Sequence, residues 1–407
     1  MSDLDAFRQE IRRWIEQHAP KSLWGTAISP FEGYWGGKRG TFASDDQQAW
    51  FEAALERGLT APTWPAEYGG GGLSPEQGRV FKEELNRHRI PLPLAGFGLT
   101  MLGPILLERG SPAQKAQHLP PIIRGQIRWC QGYSEPDAGS DLASLRTAAV
   151  KDGDHYVVNG QKIWTSFADL ADWIFCLVRT STEGRKHAGI SFLLIDMDDP
   201  GVSVRPIELI SGYSPFCETF FTDVRVPTAN RIGDEGGGWR LATSLLGHER
   251  DMIGEAIING GTRPKVLTDY SLRDHALAVI GTGADGKLRD PILRDEIARN
   301  EMDREAGRLT LNRIRDTLRA GGRPGPETSI VKVFGTELNQ KRWHLAQQIL
   351  GEEGLYWEQD GHVTEETQQL TRTWLRSRGN SIEGGSSEIQ LNIIATRVLK
   401  LPRPPRK

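Results

Sequence analysis

Two changes in the spacing of apolar residues divide this chain into three segments. Residues 1–125 carry apolar side chains at helical intervals, as at Phe7 and Ile11. Residues 126–232 carry short runs typical of β-strands, and residues 233–407 return to helical spacing. We therefore predict an α+β chain with an N-terminal helical domain, a middle antiparallel β-domain and a C-terminal helical bundle.

Two cap sequences indicate where helices begin in the N-terminal domain. Ser74-Pro75-Glu76-Gln77 and Ser111-Pro112-Ala113-Gln114 each combine a serine, a proline at the first helical position and a glutamine three residues after the serine. In such a capping box, the serine and glutamine side chains bind backbone N–H groups that the helix leaves free. We expect a helix to begin directly after each serine.

The middle segment is typical of short strands joined by turns. Asp152-Gly153 and Asn159-Gly160 are dipeptides that favour tight hairpins, so we predict a turn at each of them. Hairpins of this kind join antiparallel strands. The predicted strands are Thr147 to Lys151, His155 to Val158, Gln161 to Trp164, Trp173 to Thr180, Ile190 to Met197, Val202 to Ile207 and Glu218 to Val226.

Composition and charge exclude several classes of protein. The 407 residues carry a formal net charge of −3, so the chain has no basic excess for binding nucleic acid. Cys130, Cys176 and Cys217 are far apart and form no CxxC pair, which indicates reduced thiols and no zinc or other metal site. We see no apolar run of bilayer length and no signal-peptide pattern, and we therefore expect no membrane span and a cytoplasmic location.

Two glycine-containing loops leave their roles open on sequence alone. Tyr133 to Asp141 combines Pro, Gly and Ser, and could be a surface turn between domains or a loop that binds a polar ligand. Gly281 to Lys287 nearly matches a phosphate-binding P-loop. However, Leu288 stands where a Ser or Thr must bind Mg²⁺, and Pro291 limits a following helix. We predict that this second loop is an ordinary connection between helices.

Four sequence blocks occur in a fixed order along the chain. They are Tyr133 to Asp141, Asn159 to Ser166, Phe221 to Pro227 and Gly384 to Gln390. Together with the three-part plan of the chain, they resemble the acyl-CoA dehydrogenase family of flavoproteins over nearly the whole length. One block could arise by chance, whereas four in the right order and spacing are strong support.

The resemblance implies a bound FAD and an acyl-CoA substrate. Trp164 offers a flat apolar face to a flavin ring. The alternative is an ordinary core aromatic, but the position of Trp164 after Asn159-Gly160 and before two hydroxyl residues favours the cofactor role. The FAD-binding positions that the resemblance implies are Tyr133, Ser134, Gly139, Ser140, Trp164, Thr165, Ser166, Gln348, Gly351, Ser386 and Glu388. The substrate-binding positions that it implies are Ser140, Arg250, Gly384 and Gly385.

The family's reaction needs a carboxylate that removes the α-proton of the thioester while a hydride leaves the β-carbon for the flavin. In most members this carboxylate stands two residues before the hydroxyl residue of the late glycine-rich block. In this chain, Gly384 occupies that position. Members similar to isovaleryl-CoA dehydrogenase place it on a helix immediately before an arginine, and Glu249-Arg250 matches that arrangement. We predict Glu249 as the catalytic base, with Glu383 as its rival. A solvated charge pair is the alternative interpretation of Glu249-Arg250.

The resemblance also bears on assembly. Family homotetramers usually carry an Arg-x-x-Phe-Gly segment after the helix that follows the base, and we find none here; Glu352 stands where a second glycine is common. With these departures, the chain resembles subunits of the bacterial heterotetrameric acyl-CoA dehydrogenases of steroid side-chain breakdown. We expect either a homo-oligomer (dimer or tetramer) or an α2β2 heterotetramer.

The same resemblance implies an electron-transfer flavoprotein as the partner that accepts electrons. Two other functions remain open on this fold. One is a flavin oxidase or monooxygenase, which oxygen access would decide. The other is a non-catalytic subunit that completes a partner's site, against which Glu249 argues.

Overall fold

The computed structural model describes residues 3–27, 32–243, 245, 265–267, 269–319, 325–357 and 363–402. The chain forms two compact units. The first comprises Met1–Glu208 and Ser214–Leu245, and the second comprises Leu209–Tyr213 and Leu246–Lys407. The domain boundaries near residues 125 and 232 stay predictions.

In the described part of the first unit, five α-helices precede the sheet. The apolar faces of the first three pack around Ile11, Trp50 and Phe81, all of which are buried. The helices are α1 (Asp3–His18), α2 (Asp45–Glu56), α3 (Pro75–Arg87), α4 (Gly103–Arg109) and α5 (Pro112–Ile123).

The two predicted capping boxes are confirmed. The Ser74 hydroxyl accepts a hydrogen bond from the Gln77 backbone N–H at 3.2 Å, and the Gln77 side chain accepts one from the Ser74 N–H at 3.0 Å. Ser111 and Gln114 make the same reciprocal pair, at 3.2 and 2.9 Å. Helices α3 and α5 therefore begin where the local sequence predicts.

One sheet occupies the rest of the first unit. Its strands are β1 (Trp129–Gly132), β2 (Ala148–Asp152), β3 (His155–Ser166), β4 (Trp173–Arg179), β5 (Ile190–Asp196), β6 (Val202–Ile207), β7 (Phe216–Pro227) and β8 (Arg231–Ile232). The strand order is β6-β7-β3-β2-β4-β5-β8, and β1 pairs with β4. Most neighbours are antiparallel, as predicted. However, β4 is parallel to two of its neighbours. It pairs with all four residues of β1, and with β2 at one position.

The predicted hairpin turn at Asn159-Gly160 is wrong. His155–Ser166 is one continuous strand, and its register with β7 shifts at Gly160. Gly160 has a φ of 153°, and a Cβ there would lie 2.6 Å from the Cα of Thr147. The glycine therefore permits a close approach of two backbones inside the sheet. Gly153, with a φ of 61°, does lie in the turn between β2 and β3.

The described part of the second unit is helical. Its core includes the buried side chains of Leu272, Trp343 and Leu370. The helices are α6 (Leu272–Val279), α7 (Pro291–Arg319), α8 (Thr328–Leu350), α9 (Glu365–Ser377) and α10 (Ser387–Ile393). Thr282 forms an isolated β-bridge with Leu288, so the P-loop-like segment is a connection between α6 and α7, as predicted.

The described residues contain neither a membrane-spanning helix nor a metal-binding cluster. No helix there is both long and apolar enough to cross a bilayer. No group of three or more His, Cys, Asp or Glu side chains there is placed to hold a metal ion. Cys130, Cys176 and Cys217 are buried free thiols.

Candidate functional site

A buried ion pair fixes the loop that follows β1. Lys162 on β3 is fully buried, and its Nζ lies 2.8 Å from Oε1 of Glu135 and donates to the carbonyl oxygen of Tyr133 at 3.1 Å. The Glu135 carboxylate also accepts hydrogen bonds from the backbone N–H groups of Arg146 and Thr147, at 2.6 and 2.9 Å. Both buried charges therefore have the partners that burial requires.

The same contacts set the protonation state of Glu135. Burial alone would raise the pKa of this carboxyl group. The Lys162 ammonium and the hydrogen bonds from Thr147 and Arg146 outweigh that effect and hold the pKa below its usual value. Glu135 is thus ionised at neutral pH. The stability that it contributes is lost as the pH falls through the lowered pKa.

The loop itself is a tight turn that presents small residues. The Glu135 N–H donates to the carbonyl of Ala138 at 3.1 Å, and the Ala138 N–H donates to the carbonyl of Glu135 at 3.0 Å. Gly139 and Ser140 follow this turn and are exposed. A Cβ at Gly139 would meet no heavy atom within 4 Å, so space beside the loop stays open for a ligand.

Strand β3 ends in a bulge that exposes an indole ring. The register with β7 shifts between Lys162 and Thr165. Trp164, inside this bulge, has a φ of 60°, which is uncommon for a bulky residue. Its side chain is 52% exposed and meets Phe216 edge-on, with 6.0 Å between ring centroids. An aromatic residue held in a costly backbone conformation at the surface indicates a binding role.

The two hydroxyl residues after Trp164 differ in burial. Thr165 is fully buried opposite Cys217, and its hydroxyl finds no hydrogen-bond partner within the described ranges. Ser166 is only half-buried. Of the two hydroxyls, that of Ser166 is therefore the one accessible from the surface.

The loop and the strand end lie side by side. The backbone N–H of Ile163 donates to the carbonyl of Ser134 at 2.9 Å. Ser134 is half-buried and Tyr133 is almost fully buried, with its ring edge-on to those of Phe175 and Phe192. The structure thus places Ser134 next to the end of the strand that carries Trp164, Thr165 and Ser166.

Two of the implied second-unit residues lie at the end of α8. Gln348 and Gly351 are both exposed, and Gly351 has a φ of 58°. The exposed Glu352 follows directly, so a negative charge adjoins this end of the helix.

The late glycine-rich block forms a turn that leads into α10. Gly384 and Gly385 have φ values of 62° and 86°, and the Gln390 side chain donates to the carbonyl of Gly384 at 3.2 Å. The Ser386 hydroxyl caps α10 by accepting a backbone N–H at 3.3 Å. The backbone N–H of Glu388 and the Ser386 hydroxyl lower the pKa of the Glu388 carboxyl group.

Glu383, the rival base, is held by two donors. Nη2 of Arg376 lies 2.6 Å from one carboxylate oxygen, and the Asn380 side chain donates to the other at 2.6 Å. The carbonyl of Asn380 in turn accepts hydrogen bonds from Lys332 and Thr336. These contacts are sufficient to explain the presence of Glu383 as a structural residue.

Glu249 and Arg250 lie outside the described residues. Residues 238–243 are helical, and the described residues of this part of the chain end before Glu249. The roles of Glu249 and Arg250 stay predictions.

Comparison with known proteins follows the same three-part order. Residues 2–126, 130–224 and 236–399 match the family models described as the N-terminal, middle and C-terminal domains of acyl-CoA dehydrogenase. The chain is 36% identical over 405 residues to acyl-CoA dehydrogenase IpdE1 of Mycobacterium tuberculosis, with 99% of each protein covered. The chain belongs to the acyl-CoA dehydrogenase family.

Solved structures support the membership. The Tcur3481-Tcur3483 steroid ACAD superposes with a TM-score of 0.74 at 30% identity, and the ChsE4-ChsE5 complex from Mycobacterium tuberculosis with 0.72 at 29%; each comparison covers 99% of both chains. The predicted fold class and the predicted dehydrogenase function are confirmed. This acyl-CoA dehydrogenase is an oxidoreductase that acts on the CH–CH group of acyl-CoA thioesters.

Acyl-CoA dehydrogenases are flavoproteins, and the first unit fits a flavin. The indole of Trp164 is free to stack on a ring system, and the half-buried Ser134 and Ser166 can hydrogen-bond its polar edge. The open space at Gly139 gives a ligand room beside the loop.

Sequence reasoning missed Lys162 and Glu135 as the anchor of this site. One signal was present, because the alternation of side chains along β3 places Lys162 on the same face as the buried Tyr156 and Val158. A lysine on a buried face needs a carboxylate partner to balance its charge. Glu135, in the loop Tyr133 to Asp141, is a carboxylate of this kind.

Replacing Lys162 with methionine should lower the free energy of unfolding by about 3–5 kcal/mol, because Glu135 would remain as an unpaired buried charge. Adding Glu135→Gln should recover part of the loss, since it removes that charge. The control Lys151→Met, on the exposed end of β2, should change stability by less than about 0.5 kcal/mol. Chemical denaturation measures all three, and equal losses in Lys162→Met and Lys151→Met would show that the pair is no anchor.

Proposed function

We propose that this acyl-CoA dehydrogenase binds FAD against the end of β3 and the loop after β1. Glu249 then takes the α-proton of the thioester. The observation that carries the FAD site is the exposed indole of Trp164, held at a φ of 60° beside the anchored loop. FAD, when bound, accepts the hydride that leaves the β-carbon.

The chain's own residues supply binding and orientation. Trp164 offers the apolar face, Ser134 and Ser166 offer hydrogen bonds, and the Gly139-Ser140 segment leaves room for the cofactor or the substrate phosphates. In the second unit, the proposed further contacts are the exposed Gln348 and Gly351, the cap residue Ser386 and Glu388 in the first turn of α10.

Replacing Trp164 with alanine should weaken FAD binding roughly tenfold, because a stacking face is lost. The melting temperature of the flavin-free protein should change little, since the ring is half exposed. Val150→Ala is the matched control, because Val150 is a 66% exposed apolar residue on β2. Flavin absorbance per chain and thermal unfolding measure the two effects. A Trp164→Ala variant that keeps its full FAD content would contradict this site.

Glu249 is the favoured base because the alternative positions serve other purposes. Glu383 is bound by Arg376 and Asn380, which occupy both of its carboxylate oxygens in a structural contact. Gly384 has no side chain. A glutamate covered by bound substrate has its pKa raised towards neutrality, which suits proton abstraction.

Replacing Glu249 with glutamine should slow flavin reduction by acyl-CoA at least about 10²-fold, with FAD content unchanged, because the amide cannot accept the α-proton. Glu383→Gln should lower stability, since it weakens the contact with Arg376, and should keep turnover. Anaerobic stopped-flow measurement of flavin bleaching separates the two variants.

The reversed result, with Glu383→Gln inactive and Glu249→Gln active, would assign the base to Glu383. We also propose an electron-transfer flavoprotein as the electron acceptor. The same assay in air tests this choice, because an oxidase would release hydrogen peroxide in proportion to turnover.

The proposal extends to the assembly of this chain and to its substrate class. We propose that this chain pairs with a second, different chain and acts on a bulky, ring-bearing acyl-CoA. The names of the two solved structures support this, since one is a steroid ACAD and the other is a complex of two different proteins. The exposed Glu352 beside Gly351 adds support, because a carboxylate there would repel a pyrophosphate from a symmetric copy.

The chain purified alone should hold less than one FAD per chain and should not form a stable homotetramer, because part of its cofactor site is expected to come from the different partner. Light scattering gives the mass and flavin absorbance gives the stoichiometry. A homotetramer with one FAD per chain would contradict the heteromeric proposal and leave the dehydrogenase reaction unaffected.

A further inference from the structure

A small cavity in the first unit is lined by two N–H donors that lack acceptors. Its volume is about 10 Å³, and Trp35, Phe97, Gly98, Arg128 and Trp129 contribute to its wall. Nε of Arg128 and Nε1 of Trp129 are both buried, and neither makes a hydrogen bond to any part of the chain that the structure describes. Buried donors are almost always satisfied, so this pair calls for an oxygen acceptor.

The carboxylates nearest to Arg128 are occupied by other donors. Asp172 accepts the backbone N–H of Arg128 itself at 2.8 Å and that of Lys38 at 3.1 Å. Asp169 accepts the Cys217 thiol at 3.6 Å. Burial lowers the pKa of the Arg128 guanidinium, and the charges of Asp169 and Asp172 counteract this effect. The guanidinium therefore stays charged, and in the described residues it donates no hydrogen bond to either carboxylate.

Aromatic rings hold the guanidinium in place. Its Cζ lies 4.9 Å from the ring centroid of Trp35 and 5.2 Å from that of Phe167. Phe167 directly follows Ser166, so the cation adjoins the strand end that carries the proposed flavin contacts. A guanidinium packed in this way is oriented before any ligand arrives, which favours binding.

The cavity lies at the start of β1, and the loop of the proposed flavin site follows the end of the same strand. Trp129 begins β1 and Tyr133 follows its end, so the two are separated by roughly 13 Å along the strand. A Cβ at Gly98 would lie 2.9 Å from Cδ1 of Trp129, next to the indole nitrogen. Any larger side chain at this position would press against the nitrogen edge of Trp129.

We propose that this cavity is a subsite for an oxygen atom that the acyl group carries far from its thioester, with Arg128 and Trp129 as the hydrogen-bond donors. The inference rests on the proposed function and narrows its substrate class to acyl-CoAs with a remote carbonyl or carboxylate oxygen. An acyl group without that oxygen would leave both donors unpaired, and a site of this kind rejects such a ligand. One bound water is the competing occupant, because the volume suits about one water molecule.

The experiment compares three ligands with ten-carbon acyl groups on the flavin-loaded protein: decanoyl-CoA, 9-oxodecanoyl-CoA and the mono-CoA thioester of decanedioic acid. Dissociation constants are measured by titration calorimetry, and flavin reduction is measured separately. The unmodified protein should bind at least one oxygenated ligand about tenfold more tightly than decanoyl-CoA. The preference between the two oxygenated ligands identifies a carbonyl or a carboxylate as the acceptor.

Arg128→Met should abolish that preference, because the oxygenated ligands lose a hydrogen-bond donor that decanoyl-CoA does not use. Trp129→Phe, which removes only the indole N–H, should reduce the preference in part. Arg124→Met is the matched control, because Arg124 is an exposed arginine four residues earlier, and it should leave the preference intact.

Equal binding of the three ligands by the unmodified protein would overturn the subsite and leave a water as the occupant. An equal loss for all three ligands in Arg128→Met would also overturn it, since Arg128 would then be only structural. A preference that disappears in Arg128→Met supports the subsite even where none of the ligands reduces the flavin, and that lack of reduction would count against the proposed function alone.

Discussion

The contact between Lys162 and Glu135 fixes three segments of the first unit against one another. It links β3 to the loop after β1 and, through the backbone N–H groups of Arg146 and Thr147, to the start of β2. A buried ion pair adds little net stability compared with apolar packing. It does penalise other arrangements strongly, because any shift in register leaves a charge without its partner. The bulge that exposes Trp164 begins directly after this fixed point, so the ion pair sets where the indole stands.

Local signals were enough to predict several elements. The capping boxes at Ser74 and Ser111 depend on contacts three residues apart, and the sequence therefore contains all of the information needed. Asn159-Gly160 shows the limit of such reasoning. The same dipeptide suits a hairpin turn and a glycine that allows two backbones to approach, and only the position of Thr147, directly before β2, decides between them.

Contacts distant in sequence account for what was missed. β1 has four residues and pairs in parallel with β4, which follows more than forty residues later, and no local pattern announces such a pairing. Lys162 and Arg128 belong to residue types that are mostly exposed, so their burial could not be assumed. The candidate site residues came from the family resemblance, and the physical reasons for their placement came from the structure. Glu249, for which the resemblance is the main support, remains a prediction.

The conformation of the late glycine-rich block bears on the proposal that the base lies elsewhere. Gly384 has a φ of 62° and Gly385 one of 86°, values that glycine adopts freely and a glutamate adopts only at a cost. A glutamate introduced at position 384 would therefore need a change in the backbone before it could act on a substrate. Glu383, one residue earlier, is already bound to Arg376 and Asn380. In this chain the block thus shapes the turn into α10, and its backbone offers no ready position for the base, in keeping with the proposal that a glutamate on another helix takes this role.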